Sequence, residues 1–385
     1  MKTLLLAACV AVLTTAAFAA ETTQPIRVGY TTSLTGSLAD FGVSQKRGVD
    51  LWVTDVNDRG SLLGRRVEVV MYDDASSAAN VGALYEKLIN QDKVDMLISP
   101  YASSLTMAAA PVAERYGVPM VSIASASDIW KQGYKNVFGL YTPGAANMDP
   151  VLALAKEREL KTVALVYLDD EFPRDVADGV RSHAGAHGLS IVLSETYETD
   201  FNAMPAIASR VAAANADVVI VGSYLDDAIA FAKAAKAAGV KPKVFAFSGA
   251  PAVPDFVNEV GEANVQGMLS TVQWTRGIRL PGSFDMSYRY ERLYNGYPNY
   301  DVAGAYAAGQ LLEQAARLAG STDRAAVRNQ LAMLKTRTIL GNYRVDETGA
   351  QTAKTTYLIQ CQQDHLSLVY PPEVARFPLV YPYPG

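Results

Sequence analysis

Two histidines have a spacing that could bind a metal ion. His183 and His187 are four residues apart, as metal-binding histidines on one face of a helix can be. The three residues between them, Ala184-Gly185-Ala186, lack the catalytic glutamate of the metalloprotease motif. The pair also comes at the end of a predicted helix, where histidine suits the negative end of the helix dipole. We therefore expect a solvated last turn, and we expect His365 in a late turn.

Two adjacent carboxylates, Asp73 and Asp74, could bind a metal or act as an acid–base pair. They follow a predicted strand and precede Ser76 and Ser77 at the start of a predicted helix. Side chains of these types in such a place typically bond to a turn or cap a helix. The sequence contains no G-x-S-x-G elbow, Walker loop or G-x-G-x-x-G turn. We therefore expect no enzyme, no metal site and no cofactor.

Charge and cysteine content exclude further classes. The 385 residues include 34 basic and 39 acidic ones, for a net charge of −5. A mildly acidic chain with no Lys/Arg block argues against nucleic acid or anionic lipid as a partner. The two cysteines are Cys9 and Cys361, and Cys9 falls in a predicted export signal. The mature chain is therefore expected to form no intrachain disulfide and no thiolate metal cluster.

The first 20 residues have the pattern of a cleavable signal peptide. Lys2 supplies the positive start, Leu4 to Ala17 form a short apolar run, and Ala17-Phe18-Ala19 offers a small-x-small cleavage site. Leu6-Ala7-Ala8-Cys9 resembles a lipobox, but Cys9 has little apolar sequence before it and the apolar run continues beyond it. We expect export and cleavage near Ala19 or Ala20. No other segment reaches the length of a membrane helix, so direct membrane insertion is not expected.

The elements that must position a site alternate between short apolar strands and longer helices, which is typical of parallel βαβ units. The predicted strands are 26–30, 67–72, 96–99, 119–123, 162–167, 190–194, 217–222, 244–247, 267–271 and 355–361. The predicted helices are 43–58, 78–91, 106–116, 175–187, 204–213, 226–238, 284–294, 303–319 and 324–334. Two βα series therefore indicate an α/β protein with two lobes, and the helices after residue 280 would complete the first lobe if the chain crossed back.

Short motifs follow the strand ends along the whole chain. The strongest are Ser33-Leu34-Thr35-Gly36 with Asp40-Phe41-Gly42, Tyr72-Asp73-Asp74, Ser99-Pro100-Tyr101-Ala102-Ser103-Ser104, Gly117-Val118-Pro119-Met120-Val121-Ser122, Asp200-Phe201, Gly222-Ser223-Tyr224 and Asp346-Glu347-Thr348-Gly349. In this order and spacing the sequence resembles the type I periplasmic solute-binding proteins of ABC importers, in the branch of the Leu/Ile/Val-binding proteins and extracellular ligand-binding receptors. The resemblance runs from Ile26 to the Tyr381-Pro382 tail.

The resemblance implies a fold of two doubly wound α/β lobes joined by three hinge crossings. The first lobe would contain residues 25–141 and 272–345, and the second lobe residues 142–271 and 346–385. In such proteins the solute lies between the lobes, and its binding loops follow the carboxyl ends of parallel strands. It also implies a periplasmic location for the mature chain.

Ser103 matches the serine that holds a ligand carboxylate from the first lobe in this family. The Ser103–Ser104 segment opens a helix, where free N–H groups and the helix dipole favour an anion. The alternative is that one of these serines only caps the helix.

The loop of Ala124, Ser125 and Ala126 matches a second ligand contact, made largely through the backbone. Ala126 stands where threonine is common in the family, so one hydroxyl contact is absent, and Ser125 or Ser127 can substitute.

Five aromatic residues match positions around the ligand in the family. Phe41 and Tyr101 match pocket walls, Phe172 stands where a tyrosine often approaches from the second lobe, and Tyr224 follows a strand end. Trp274 lies where several relatives carry tryptophan. The alternative for each is core packing.

Ser248 departs from the family pattern. In branched-chain amino acid binders this position carries an acid that pairs with the ligand ammonium, and a serine cannot neutralise a buried cation. Two explanations stay open. Either Asp226 or Asp170 supplies the negative charge, with Asp226 as a simple helix N-terminal residue equally compatible, or the ligand lacks an ammonium group.

The predicted function is capture of a small carboxylate-bearing solute by hinge closure, followed by transient docking on the ABC permease subunits in the inner membrane. The candidate solutes are amino acids or amino-acid-like molecules, aromatic ones included. The alternative is a sensory receptor of the same fold that reports a small amide or amino acid to a signalling partner. Neighbouring genes would distinguish the two, since permease and ATPase genes favour transport and a kinase gene favours sensing.

Overall fold

The computed structural model describes residues 24–363 and 365–385. The predicted signal peptide, its cleavage site and Cys9 lie outside the described residues. Within the described chain no helix is both long enough and apolar enough to cross a membrane.

The strands of the described residues are short, and six of the fourteen are buried at every residue. They are β1 (Ile26–Thr32), β2 (Val67–Asp73), β3 (Met96–Ile98), β4 (Met120–Ser122), β5 (Val137–Gly139), β6 (Thr162–Leu168), β7 (Ser190–Tyr197), β8 (Val218–Gly222), β9 (Val244–Phe247), β10 (Leu269–Val272), β11 (Thr336–Thr338), β12 (Gly341–Tyr343), β13 (Tyr357–Gln362) and β14 (His365–Tyr370).

Helices alternate with these strands. They are α1 (Ala39–Asp58), α2 (Ala78–Asn90), α3 (Ser103–Tyr116), α4 (Asp128–Lys131), α5 (Asp149–Glu157), α6 (Glu171–His183), α7 (Met204–Ala214), α8 (Asp226–Ala237), α9 (Pro254–Val260), α10 (Glu262–Val265), α11 (Ser283–Tyr294), α12 (Tyr300–Ala319) and α13 (Arg324–Met333). Short 3₁₀ turns cover Gly144–Ala146, Ala184–His187 and Ala250–Ala252.

The two lobes are built on two separate sheets. The first sheet has the order β2-β1-β3-β4-β5, and its neighbours are all parallel. Its apolar side chains pack on α1 and on α12, which the chain supplies much later. This packing places α12 in the same hydrophobic core as the first sheet.

The second sheet has the order β14-β13-β10-β9-β8-β6-β7. Strands β6 to β10 pair in parallel, and β13 and β14 add an antiparallel edge. Residues Val218–Gly222 are buried along their whole length because helices cover both faces of a parallel sheet. The doubly wound α/β class predicted from the sequence is confirmed.

The chain passes between the lobes three times, and the three crossings lie side by side. The backbone N–H of Thr142, in the first crossing, donates to Gln273 Oε1 in the second at 3.0 Å. Thr142 Oγ1 also lies 3.5 Å from the carbonyl oxygen of Lys354 in the third. These contacts tie the crossings together. We propose that the lobes divide near residues 141, 272 and 353, because Gly349, beyond the expected boundary at 345, still accepts the backbone N–H of Gly139 in the first lobe at 2.8 Å.

The structure differs from the predicted elements mainly where elements are short or begin with polar residues. Strand β5 was not predicted, because three residues are too few to show a strand pattern. Helix α5 was not predicted either. Helix α3 begins at Ser103, three residues before the predicted start. The polar residues of this first turn have no apolar periodicity, so the sequence pattern placed the start of the helix too late.

Candidate ligand-binding site

A narrow cavity lies between the lobes beside the three crossings. It encloses about 440 Å³ of space outside protein atoms, including its opening to solvent. Both lobes and the crossings line it, through Tyr101, Ala102, Ser103, Ile123, Ala124, Ser125, Tyr141, Asn147, Phe172, Tyr224, Ser248, Thr271, Val272, Gln273 and Tyr300. The structure thus brings together seven of the eleven residues predicted for the site: Tyr101, Ser103, Ala124, Ser125, Phe172, Tyr224 and Ser248.

Ser103 holds the neighbouring loop and keeps its own proton available. Its Oγ accepts the backbone N–H groups of Ser125 at 3.3 Å and Ala126 at 3.1 Å. With its acceptor positions occupied, the hydroxyl can still donate its proton. The cap of α3 is Ala102, which makes no side-chain cap bond, so Ser103 is the first helical residue and not the cap.

The amino end of α3 adds to this donor. The N–H groups of the first helical turn have no acceptor inside the helix, and the helix dipole makes this end positive. Thr106 is the first residue whose N–H reaches back into the turn, to Ala102 O at 2.9 Å. One wall of the cavity therefore has the character of an anion site.

The aromatic side chains of the first lobe support one another. Phe41 and Tyr101 stack with centroids 4.5 Å apart and planes within 4°. Only Tyr101 lines the cavity, where its hydroxyl lies 3.4 Å from that of Tyr300. Phe41 lies behind it in the core, so its position is that of a support for Tyr101 and not of a wall.

The second lobe closes the cavity with Phe172 and Tyr224, whose ring centroids are 6.1 Å apart. The Tyr224 hydroxyl donates to Asp170 Oδ1 at 3.0 Å. Burial raises the pKa of Tyr224 well above its usual value, and the adjacent Asp170 charge raises it further. Phe172 offers only a ring face, as predicted from its lack of a hydroxyl.

Ser248 is used within its own lobe. Its hydroxyl accepts the N–H of Ser223 at 2.8 Å and donates to the carbonyl oxygen of the same residue at 3.1 Å. The hydroxyl therefore both donates and accepts a hydrogen bond within its own lobe. Ser248 therefore lines the cavity without a charge.

Asp226 does not lie along the cavity. It is exposed in the first turn of α8, while its neighbour Asp227 is buried. Asp227 accepts from the Tyr197 hydroxyl at 2.7 Å and from the backbone N–H of Tyr224 at 2.9 Å. Burial raises the pKa of Asp227 to about 6. Neither aspartate lines the cavity, and the different burial of the two cannot be inferred from adjacent identical residues in the sequence.

Ala126 and Trp274 also lie outside this cavity. Ala126 faces the core of the first lobe, and its contribution is the N–H that it donates to Ser103. Trp274 is buried, and its Nε1 donates to Ser283 Oγ at 2.9 Å. The Trp274 side chain is therefore packed as a core residue. Trp274 also lines a second, wider cleft between the lobes, which encloses about 2670 Å³ including its opening to solvent.

Asp73, Asp74 and His183 have structural partners within the described residues. Asp73 and Asp74 hold the loop after β1, since Asp74 accepts from Ser33 Oγ at 2.6 Å and Asp73 from the N–H of Leu34 at 2.8 Å. His183 Nδ1 lies 2.7 Å from Asp149 Oδ1. Among the described residues no group of three or more His, Cys, Asp or Glu side chains could hold a metal ion.

Sequence reasoning missed the contribution of the crossings and of α12. Tyr141, Asn147, Thr271 and Gln273 lie on the crossings, and Tyr300 begins α12. The Tyr141 hydroxyl donates to Tyr300 O at 3.3 Å. The sequence analysis ended the first segment of lobe 1 at residue 141, so an aromatic residue at this boundary was a signal that could have been used.

Two buried titratable groups near Tyr141 have no hydrogen-bond partner within the described part of the chain. They are the Asp301 carboxyl group and the Lys354 amino group. Lys354 Nζ lies 5.6 Å from the centroid of the Tyr141 ring, and burial lowers the pKa of Lys354 well below its usual value. Burial raises the pKa of Asp301 well above its usual value, against the opposing effect of its own backbone N–H.

Comparison with known proteins identifies a family model and several relatives that this chain matches. The chain matches the family model described as periplasmic binding protein over residues 25–365. It is 27% identical over 340 residues to the leucine-, isoleucine-, valine-, threonine-, and alanine-binding protein of Pseudomonas aeruginosa, covering 84% of this chain and 86% of that protein. It is 25% identical over 378 residues to Leu/Ile/Val-binding protein homolog 7 of Brucella abortus, covering 93% and 94%.

Solved structures share the fold. The branched-chain amino acid transporter substrate-binding protein LivJ of Streptococcus pneumoniae, in complex with isoleucine, superposes with a TM-score of 0.80 at 22% identity, over 90% of this chain and 100% of that one. A solute-binding protein of an ABC transporter from R. palustris, in complex with benzoate, gives a TM-score of 0.77 at 19% identity, over 90% and 96%.

Proposed function

Because this chain belongs to the periplasmic binding protein family, we propose that it captures a small carboxylate-bearing solute between its lobes and delivers it to an ABC importer. The candidate solutes are amino acids and amino-acid-like molecules, aromatic ones included. The observation that carries the proposal is the Ser103 hydroxyl, whose acceptor positions are filled by two N–H groups while its proton remains free beside the amino end of α3.

A carboxylate fits this wall for a physical reason. The wall offers donors and a positive helix end but no basic side chain, so a compact anion that accepts several hydrogen bonds gains most there. The P. aeruginosa relative is named for amino acids and the R. palustris neighbour holds benzoate, and all of these are carboxylates. These names support the solute class and leave the individual solute open.

Capture would proceed by closure of the second lobe over a solute held by the first. Tyr224 and Phe172 would cover the apolar part of the solute, which gains by area burial and by stacking. Asp175 of α6 already links the lobes, since its Oδ2 accepts from the backbone N–H of Ser127 at 2.8 Å and from its hydroxyl at 2.9 Å. Solute binding would favour this closed arrangement, which is the one proposed to dock on the permease.

The aromatic cover and the uncharged Ser248 point to a particular subset of solutes. Leucine, isoleucine and valine are expected to bind poorly compared with a flatter or aromatic carboxylate, or with an amide-bearing acid. Aromatic walls give a cation only weak compensation. Tight leucine binding that survives both Asp226→Asn and Asp170→Asn would contradict this part of the proposal.

A thermal-shift screen of amino acids, amides and aromatic acids, followed by calorimetry, tests the proposal. A molecule that binds only the folded protein raises the melting temperature of the protein, by an amount that grows with the ratio of the ligand concentration to its Kd. The expected result is a rise with one or a few carboxylates and none with the corresponding amides that lack the acid. A protein that responds to no carboxylate, or equally to an acid and its neutral amide, would refute it.

We also propose that the mature protein is free in the periplasm after cleavage near Ala19 or Ala20. The small-x-small run before this point supports cleavage, and the early position of Cys9 argues against acylation. Mass spectrometry of the exported protein would find an N terminus at Ala20 or Glu21, whereas a diacylated Cys9 would show a lipoprotein.

A further inference from the structure

One aspartate of the second lobe bonds to the first lobe across the cleft. Asp175, in α6, accepts two hydrogen bonds from Ser127 on its Oδ2, one from the backbone N–H at 2.8 Å and one from the hydroxyl at 2.9 Å. The same oxygen accepts the backbone N–H of Ala145 at 2.8 Å. Ser127 follows β4 of the first sheet, whereas α6 follows β6 of the second. A single carboxylate oxygen therefore joins the two lobes.

Both ends of this contact lead to the cavity. Ser127 directly follows the loop whose backbone N–H groups bond to Ser103. Phe172, which lines the cavity, lies three residues before Asp175 on the same face of α6. Asp175 itself does not line the cavity. It is therefore placed to fix the distance between the carboxylate wall and the aromatic cover without touching the solute.

Close packing holds α6 against the turn that follows the first crossing. A Cβ atom at Gly144 would lie 2.5 Å from Asp175 Oδ2, and a Cβ atom at Gly179 would overlap the carbonyl oxygen of Ala145. Only glycine permits these approaches, so α6 and the turn are expected to move as one body and to keep the bond to Ala145. The two bonds to Ser127 are the ones that separation of the lobes would break, because a hydrogen bond is lost once its two heavy atoms are more than about 3.5 Å apart.

The charge of Asp175 strengthens these bonds. The side chain is half-buried, and burial raises its pKa, whereas the hydrogen bonds from Ser127 and Ala145 and the charge of Lys131 oppose this rise. Lys131 belongs to α4 of the first lobe, so this attraction also acts between the lobes. A hydrogen bond to an ionised acceptor is stronger than one between neutral groups, and a carboxylate partly removed from water needs its donors. Separation of the lobes would take two of three donors from it.

We propose that Asp175 is a latch that holds the lobes in their closed arrangement and sets the affinity for the solute without touching it. This inference rests on the proposed function and adds a positioning residue to it. The apparent Kd rises as the fraction of protein in the binding-competent arrangement falls, so loss of the latch weakens the binding of every solute alike. The Ser127 hydroxyl donates to Asp175, so of the two serines expected to replace the missing threonine hydroxyl only Ser125 lines the cavity.

A double-mutant cycle between the two lobes tests the latch, with benzoate, L-phenylalanine and L-leucine as the probes in calorimetry. Asp175→Ala is expected to raise the Kd of each probe that binds by about 10- to 100-fold, as for the loss of hydrogen bonds to a charged group. Ser127→Ala keeps the backbone bond and is expected to raise the Kd by about 5- to 10-fold. The double variant should bind within about twofold of Asp175→Ala, because the Ser127 hydroxyl has already lost its acceptor there.

Asp178→Ala is the matched control for the loss of charge. Asp178 lies on the same helix, its side chain is 69% exposed, and it pairs with Arg181 of that helix, so its loss leaves the contact between the lobes intact. Ser127→Thr is the conservative variant, because it keeps the hydroxyl and is expected to bind as the unaltered protein does. Urea unfolding without a probe shows which variants are folded, and Ser127→Ala tests the latch even if Asp175→Ala does not fold.

The distance between the lobes distinguishes a latch from a residue that only supports the fold. Spin labels on Ala79→Cys in α2 and Ala206→Cys in α7, both exposed positions, report this distance, and the native Cys361 is buried. The unaltered protein without a probe is expected to show a share of short, closed distances, and Asp175→Ala is expected to lose that share. A saturating concentration of a probe that binds should restore the short distance in both.

Each outcome decides between the two levels of the proposal. Unchanged affinity in a folded Asp175→Ala variant, or losses that differ between probes by more than about threefold, would overturn the latch while solute capture stands. An unaltered protein with only long distances, or a share of short distances that Asp175→Ala leaves unchanged, would also overturn it. If no probe binds, the solute class in the proposed function fails, and the distances alone decide whether Asp175 holds the lobes closed.

Discussion

Replacing Ser103 by alanine removes one hydroxyl that serves two parts of the molecule. Its oxygen accepts two N–H groups of the 124–126 loop, and its proton is the one proposed to reach the solute carboxylate. The side chain is 2% exposed, so little water can replace it. Ser103→Ala is therefore expected to lower both affinity and stability.

The two losses can be sized separately. A hydrogen bond to a charged group contributes about 1–3 kcal/mol, which corresponds to about a 5- to 150-fold rise in Kd. Leaving buried N–H groups without an acceptor costs about 1–3 kcal/mol of unfolding free energy. The stability loss is expected in the absence of solute as well, because the two N–H bonds do not depend on it.

Isothermal calorimetry gives the affinity, and urea unfolding without solute gives the stability. Ser104→Ala is the matched control, because Ser104 is the next residue of α3 and its side chain makes no hydrogen bond within the described residues. It should change neither quantity by more than about 0.5 kcal/mol, as for an ordinary partly exposed site. A stable Ser103→Ala variant with unchanged affinity would refute the role given to the hydroxyl.

Two further predictions concern buried charges. Lys354→Met is expected to raise the free energy of unfolding at pH 7 by about 1–3 kcal/mol, since it removes a buried amine that has no partner. The lowered pKa of Lys354 means that this gain shrinks as pH approaches about 10.4, the pKa of an unfolded lysine. Unfolding by urea at pH 7 and pH 10 measures it, and a less stable variant at pH 7 would show that the amine is paired in solution. Burial raises the pKa of Asp227 to about 6, so its protonation stabilises the fold below about pH 4, and this stability is lost as pH rises through about 6. Asp227→Asn is therefore expected to flatten the dependence of the unfolding free energy on pH between these values. An unchanged slope would show that another group causes this pH dependence.

The sequence predicted the lobes well because their signals are long. Parallel strands covered on both faces read as apolar runs, and β9 was predicted with its observed ends, Val244 and Phe247. Such runs are set by local burial and need no knowledge of the partner strand. The return of the chain to the first lobe was also foreseen, because four strands and few helices could not complete a core.

The site was predicted less completely because its members come from places with no periodic signal. Tyr300 opens a helix that was predicted to start at residue 303, so it was not placed at the cleft. Asp226 and Asp227 look alike in the sequence, yet only the second is buried. Burial of a single polar residue depends on packing from distant segments, and local pattern does not contain it.

Both lobes are held together by contacts between residues far apart along the chain. In the first lobe, the Tyr306 hydroxyl donates to Asp55 across 251 residues, and Trp52 Nε1 donates to Glu313 across 261 residues. The second sheet likewise receives β13 and β14 only after the chain has returned from the first lobe. Loop closure over such separations is slow, so folding cannot run to completion on the leading part of the polypeptide. For a protein proposed to be exported, this dependence leaves the leading part of the chain incompletely folded until its last segments follow.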